Sequence, residues 1–232
     1  MSAREPVHVL PTAPLAERVL LPGDPGRALA LAQGLLEQPR MFNHNRGLWG
    51  YTGAAADGEP LTIQATGMGG PSAAIVLSEL IMLGARRAIR VGTCGGLEAG
   101  LTLGELVLAR EALAGDGTSR ALGADGRVAA DAALTQALAA AAPGAHEGAV
   151  LSVDLFYEER EDQRPAGAGD ALAVEMEAAT LFALGAAHGV PVACLLTVSD
   201  TFGASGERMR IDPESLLEAS LQMGHAAVAA LS

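Results

Sequence analysis

Short apolar runs that stop at glycine recur along this chain. Arg18-Val-Leu-Leu-Pro22 ends at Gly23, Leu61-Thr-Ile-Gln-Ala-Thr66 alternates and ends at Gly67, and Arg87-Ala-Ile-Arg-Val91 ends at Gly92. Runs of this length bounded by glycine predict buried strands. Glu105 to Ala109, Ala149 to Val153 and Val192 to Val198 read the same way. Between them lie helical patterns: Ala28 to Leu36, Ala73 to Leu83 (opened by Pro71 and Ser72, closed by Gly84), the alanine-rich Ala132 to Ala142, Glu175 to His188, and Pro213 to Leu231. Gly115 to Arg127 and Asp162 to Asp170 show no period and read as loops.

Strands alternating with helices predict an α/β fold: a single domain over residues 1–232, with a central mixed, mostly parallel sheet flanked by helices. In such sheets functional loops gather at the carboxyl ends of strands. Gly23, Gly67, Gly92, Asp154 and Ser199-Asp200 all fall at predicted strand ends, so one cleft is expected to collect them.

Composition narrows the picture. Hydrophobic residues make up 50% of the 232 but aromatics only 3%, so the core must be aliphatic. No apolar run approaches the roughly 18–20 residues of a membrane helix. The start, Met-Ser-Ala-Arg-Glu-Pro, lacks the basic and apolar regions of a signal peptide, which points to the cytoplasm. Cys94 and Cys194 sit in apolar runs and read as reduced thiols; two cysteines are too few for a zinc cage, and no metal or cofactor is expected. The formal net charge of −12 argues against nucleic acid and anionic membranes as partners.

Against that charge, three of the few arginines stand among glycines: Arg27 after Gly23-Asp24-Pro25-Gly26, Arg46 in Asn45-Arg46-Gly47, and Arg90 before Gly92-Thr93-Cys94-Gly95-Gly96. Glycine lets backbone approach a ligand closely, and the guanidinium fork matches a phosphate's oxygens. Together they predict an anion site, to which Thr93 adds a hydroxyl. Other residues keep two readings open. Glu175 and Glu177, flanking Met176, either complement a helix dipole or accept from a ligand's vicinal hydroxyls. Asp200, at a buried strand's end, is a loop carboxylate or a proton donor favoured by partial burial. Phe156, beside Tyr157, is a packing residue or a stacking surface for a planar base. His8 is an ordinary surface histidine on its own.

In order along the chain, Leu21-Pro-Gly-Asp-Pro-x-Arg27, Asn45-Arg46-Gly47 with Gly50-Tyr-Thr-Gly53, Gly67-Met-Gly-x-Pro-Ser72, Arg90-Val-Gly-Thr-Cys-Gly95 and Val174-Glu-Met-Glu-Ala178 resemble the purine nucleoside phosphorylase and uridine phosphorylase superfamily, with its hexameric purine branch the nearest likeness. The resemblance runs from about His8 to the end. It implies that Gly23, Arg27, Arg90 and Thr93 bind inorganic phosphate, a co-substrate, with Arg46 reaching in from a neighbouring subunit. It implies that Glu175, Met176 and Glu177 hold ribose, that His8 of the neighbour meets the 5′-hydroxyl, and that Phe156, Val174, Cys94 and Gly95 line the base. Asp200 would protonate purine N7, with Arg208 and Arg210 the candidate assisting arginines. The expected partners are therefore a purine nucleoside, phosphate and further copies of the chain, in a hexamer built as a trimer of dimers.

The resemblance also orders the alternatives. The uridine branch carries a longer insertion after its Phe-Tyr, whereas here Glu175 follows Phe156 by only 19 positions. The hydrolytic branch lacks the phosphate arginines that this chain keeps. Methylthioadenosine phosphorolysis stays open, because His8 and the loop near 200 decide tolerance at the 5′ position. A non-catalytic nucleoside-binding protein would be expected to lose Asp200 or the arginine set.

Overall fold

In a computed structural model, which describes residues 5–157, 167–202 and 207–232, the chain is an α/β fold with a mixed sheet flanked by helices. Its strands are β1 (Arg18–Leu21), β2 (Leu36–Asn43), β3 (Gly50–Ala55), β4 (Pro60–Gln64), β5 (Arg87–Gly96), β6 (Leu106–Ala114), β7 (Arg127–Ala129), β8 (His146–Ser152), β9 (Ala173–Glu175), β10 (Val192–Phe202) and β11 (Arg208–Arg210). Its helices are α1 (Pro25–Leu35), α2 (Gly70–Leu83), α3 (Gly117–Ala121), α4 (Ala132–Ala141), α5 (Ala178–His188) and α6 (Pro213–Leu231).

The sheet partly closes on itself. β10 pairs with β6 on one side and with β5 on the other, and β6–β8–β9–β5 completes the ring. From β5 the sheet continues outward through β1, β4, β3 and β2. The pairings β4–β1–β5–β10 and β6–β8–β9 are parallel. The antiparallel ones come from the β2–β3–β4 meander, from the short β7, β9 and β11, and from β10 against β6. One aliphatic core lies under α2 and α5, and a second under α1, α4 and α6. Both are built from Leu, Val, Ile and Ala, with Phe42 and Phe182 the aromatic members of the first and Tyr51 of the second.

Several expectations need correcting. The helix expected over Ala28 to Leu36 starts earlier, because Asp24 caps Arg27 N–H and Pro25 supplies a pre-set first turn, and it yields to β2 at Leu36. The stretch Gly115 to Arg127 is not a loop throughout: Asp116 caps α3 by accepting from Ser119 N–H. Glu175 is not helical; it ends β9, and α5 begins at Ala178. Gly92 and Asp200 lie within long strands rather than at their ends. Residues 162–166 of the second expected loop lie outside the described residues. No helix among the described residues is long and apolar enough to cross a membrane.

Candidate active site

One cavity, of about 890 Å³, opens where β1, β4, β5 and β10 send their carboxyl-terminal residues and the loops that follow. Gly23, Arg27, Arg90 and Thr93 line it, as do Cys94, Gly95, Phe156, Val174, Glu175, Met176, Glu177 and Asp200. The sequence-derived set therefore converges, except for His8 and Arg46, which do not line it.

Arg90 organises one end. Its guanidinium is 3% exposed and pairs with both carboxylates of the 174–178 segment: Nε lies 3.1 Å from Glu175, and Nη2 contacts Glu177. Burial pushes its pKa down, but the Glu177 and Glu175 charges more than offset that, and it stands above the ordinary arginine value. Its Nη1 is buried without a hydrogen-bond partner among the described residues. Gly92 is required beside it, since a Cβ there would sit 2.9 Å from the Arg90 Cζ. Arg27 stands close by and has no ion-pair partner among the described residues; burial and the Arg90 charge lower its pKa, against the opposing pull of Asp24.

The two glutamates divide. Glu175 has a fully buried side chain that accepts from the Ser152 hydroxyl at 2.5 Å, from Glu177 N–H at 2.9 Å and from Ala178 N–H at 3.0 Å. Burial raises its pKa above the usual carboxylate value, countered by Arg90. With its oxygens taken, it braces the start of α5 and the Arg90 fork rather than offering an acceptor to a sugar. Glu177 accepts from Gly69 N–H at 2.5 Å, and both Glu177 and the neighbouring Met68 line the cavity. Gly67 and Gly69 both have positive φ, which lets this loop turn its amides toward the carboxylate.

Asp200 commands the other end. A bulge in the β10–β5 register, where Val198 faces Cys94 but Asp200 faces Gly95, breaks the strand's alternation at Ser199. Val198 thus packs in the core while Asp200 lines the cavity. Asp200 accepts from the Ser199 hydroxyl at 2.7 Å and from Arg208 Nε at 2.9 Å, and Arg210 Nε pairs with it at 2.9 Å. Arg208 also lies over the Phe156 ring, 4.2 Å from its centroid. Neither arginine was separable from the other by sequence; strand β11 brings both to the same face by two-residue alternation. Asp154, expected at the cleft, instead accepts from Gly117 N–H.

His8 and Arg46 belong to another face. His8 Nδ1 lies 2.8 Å from Glu79 on α2, whose carboxylate also accepts from Val7, His8 and Val9 N–H. Arg46 is exposed in a tight turn at φ +56°. Sequence reasoning missed Glu79, which has no local signal: its partners lie about seventy residues away. Both cysteines are free and buried, and burial raises both thiol pKa values. Among the described residues no group of His, Cys, Asp and Glu is arranged to hold a metal ion.

Comparison with known proteins places this architecture. The phosphorylase superfamily profile matches residues 17–231. A protein of Clostridium beijerinckii called purine nucleoside phosphorylase DeoD-type is 37% identical over 93% of this chain and 96% of its own length. Proteins of the same name from Alkaliphilus metalliredigens and Jannaschia sp. are 40% and 41% identical over 83% and 80% of this chain, and over 86% and 82% of their own lengths. Among solved structures, a uridine phosphorylase from Vibrio fischeri, complexed with 6-hydroxy-1-naphthoic acid, superposes with a TM-score of 0.80 at 27% identity, covering 98% of this chain and 95% of that one.

Proposed function

The chain belongs to the phosphorylase superfamily, and on that premise we propose that it is a purine nucleoside phosphorylase, a pentosyltransferase that converts purine ribo- or deoxyribonucleosides and inorganic phosphate to free base and pentose 1-phosphate. The observation that carries this reading is the buried, unpartnered Nη1 of Arg90, held in the same cavity as Arg27 and Thr93. A buried donor with no partner costs stability unless a ligand takes it, and a phosphate oxygen suits it.

The chemistry follows from charge. Breaking the glycosidic bond builds positive charge on the sugar and negative charge on the base. Phosphate held by Gly23, Arg27, Arg90 and Thr93 stabilises the sugar cation and then attacks C1′, its position fixed by the arginines. Met176 packs under the ribose, and Glu177 keeps lone pairs for its hydroxyls. Phe156 and Val174 flank the base along Cys94 and Gly95, and Asp200 delivers the proton to N7. No cofactor takes part.

His8 and Arg46 complete the neighbouring protomer's site in this reading. The face that carries them exposes Val7, Leu10, Met41, Trp49, Ile75 and Met82, apolar side chains fit for burial against a second copy. We infer a homohexamer built as a trimer of dimers, a single domain per chain, working in the cytoplasm in purine salvage. Uridine phosphorolysis is the second reading, prompted by the likeness to the Vibrio fischeri enzyme. The acid and two arginines at the base end favour purine.

The test is product formation from inosine, adenosine and uridine, each with and without phosphate. Purine release that requires phosphate and yields ribose 1-phosphate is expected. Release without phosphate would make the chain a hydrolase, and cleavage of uridine in preference to inosine would establish the second reading.

A further inference from the structure

Asn43, the last residue of β2, is fully buried and spends its side chain on backbone. Its Oδ1 accepts from Leu10 N–H at 3.0 Å and from Asn45 N–H at 3.3 Å. Its Nδ2 donates to the Leu48 carbonyl at 2.6 Å. Gln64, fully buried at the end of β4, donates to the same carbonyl at 2.9 Å. Asn43 thus grips the chain on both sides of Arg46, and a second buried amide reinforces the Leu48 end. A polar side chain taken out of water is tolerated where its bonds are made. Here they all fix the turn from Asn45 to Leu48 and the N-terminal segment beside it.

What they fix is strained. Arg46 sits at φ +56°, ψ +21°, in the left-handed region that residues with a Cβ seldom enter. Such a conformation persists where its surroundings over-determine it, and these outliers cluster at functional sites. Nothing lies within 4 Å of where a Cβ on Gly47 would stand, so packing at that point does not impose the shape. The bonds that do are Gly47 N–H to the His44 carbonyl at 3.3 Å, Leu48 N–H to the Asn45 carbonyl at 3.1 Å, and the amide clamp. The clamp needs a donor and an acceptor on one short planar group. Asparagine carries both, whereas aspartate offers acceptors alone. Freed from it, the turn relaxes toward right-handed backbone, and the exposed Arg46 side chain leaves in another direction. His8 is held separately, by Glu79.

We propose that Asn43 is the positioning residue for Arg46: its amide locks the left-handed turn that aims this guanidinium at the phosphate site of the adjoining protomer. This rests on the reading above in which Arg46 completes a neighbour's site, and adds what holds that arginine ready. A preset backbone leaves less freedom to lose when the guanidinium meets phosphate.

The deciding experiment is calorimetric binding of inorganic phosphate to the parent, Asn43→Ala, Asn43→Asp, Arg46→Ala and the double variant Asn43→Ala with Arg46→Ala. Arg46→Ala should weaken binding by on the order of tenfold to a hundredfold, the worth of a charge-assisted hydrogen bond. Each Asn43 variant should approach that loss. The double variant should bind no more weakly than Arg46→Ala, because Asn43 acts through the arginine. The preference for inosine over 5′-deoxyinosine, which His8 would set, should not move, and light scattering should show parent-like assembly. Asn43→Asp keeps the volume and both accepted bonds, and is read alone where Asn43→Ala does not fold. Asn43 variants that bind phosphate like the parent while Arg46→Ala does not overturn the proposal alone. So does a further loss in the double variant, or a loss seen only where the assembly dissociates. If Arg46→Ala binds phosphate as tightly as the parent, the cross-subunit reading fails and takes this assignment with it. Should phosphate bind without any nucleoside being cleaved, the reaction assignment fails separately and the binding series still decides.

Discussion

Arg90 holds two buried carboxylates together at one end of the cavity. Glu175 and Glu177 are each 4% exposed, and Arg90 is the cation that pairs with both. Removing one partner of a buried ion cluster strands the others, so Arg90→Met should cost about 3–5 kcal/mol in urea unfolding. Lysine cannot span both carboxylates with a planar fork, so Arg90→Lys should recover only a minor part of the loss. A loss for Arg90→Met no larger than that of a surface substitution would mean that the carboxylates do not depend on it. Asp200→Asn isolates the other end. The amide keeps the size of the carboxyl and one acceptor oxygen, replaces the other oxygen by an NH2 donor, and donates no acidic proton. A fall in kcat of about a hundredfold to ten-thousandfold is expected, with the KM for phosphate unchanged. An unchanged kcat would remove Asp200 from proton transfer.

At the scale of elements, the chain's punctuation was legible where local chemistry decides. Gly84 closes α2 in the left-handed conformation and the apolar runs into Gly23 and Gly92 are strands, whereas the Asp24 cap and Pro25, which start α1, stand where the sequence reads as a turn before a helix at Ala28. The misreadings came where distant partners decide. Val174-Glu175 looks like a helix start, yet pairing with Gly95 and Leu151 makes it a strand. The meander of β2 and β3 carries exposed charges and glycines that mask its alternation; Gly53 admits the Glu37 carbonyl where a Cβ would come within 2.9 Å. The residues that line the cavity were readable because glycine, arginine and acid stand together in the sequence, whereas Glu79 was invisible. It holds the N-terminal segment through three backbone amides and the His8 ring. These bonds hold its carboxyl below its ordinary value despite the upward push of burial. The unfolded chain therefore takes up the proton first as pH falls. The anchor is at full strength above the unfolded glutamate pKa of about 4.3 and weakens as pH drops from there through the folded value. Glu79→Gln should speed amide exchange at Val7, His8 and Val9 by on the order of tenfold to a hundredfold at neutral pH, as loss of charge-assisted hydrogen bonds requires. Exchange in β5 and β10 should not change. Unaltered exchange at the three amides would show that the segment is held by other contacts.

For the whole molecule the central question is why His8 and Arg46, which the resemblance assigns to the sugar and anion sites, lie outside the cavity. Arg46 is exposed on the same face as the Glu79-anchored His8, and Asn45 ties the two by donating to the His8 carbonyl at 3.0 Å. An exposed arginine outside the cavity cannot serve the proposed anion site of its own chain. A second copy related by a twofold axis would present that arginine to the first, and receive one in return, because such an interface uses the same patch twice. This geometry makes a complementation test possible. Arg46→Ala and Asp200→Asn should each be nearly inactive alone. In a mixed dimer, the Arg46→Ala protomer keeps its own Asp200 and receives Arg46 from its partner, so one of the two sites is intact. Random pairing makes half of the dimers mixed, and co-refolded variants should recover about a quarter of the parent activity. Light scattering should confirm that both variants assemble as the parent does. Recovery no greater than the sum of the separate variants would confine Arg46 to its own protomer and sever the link between assembly and catalysis.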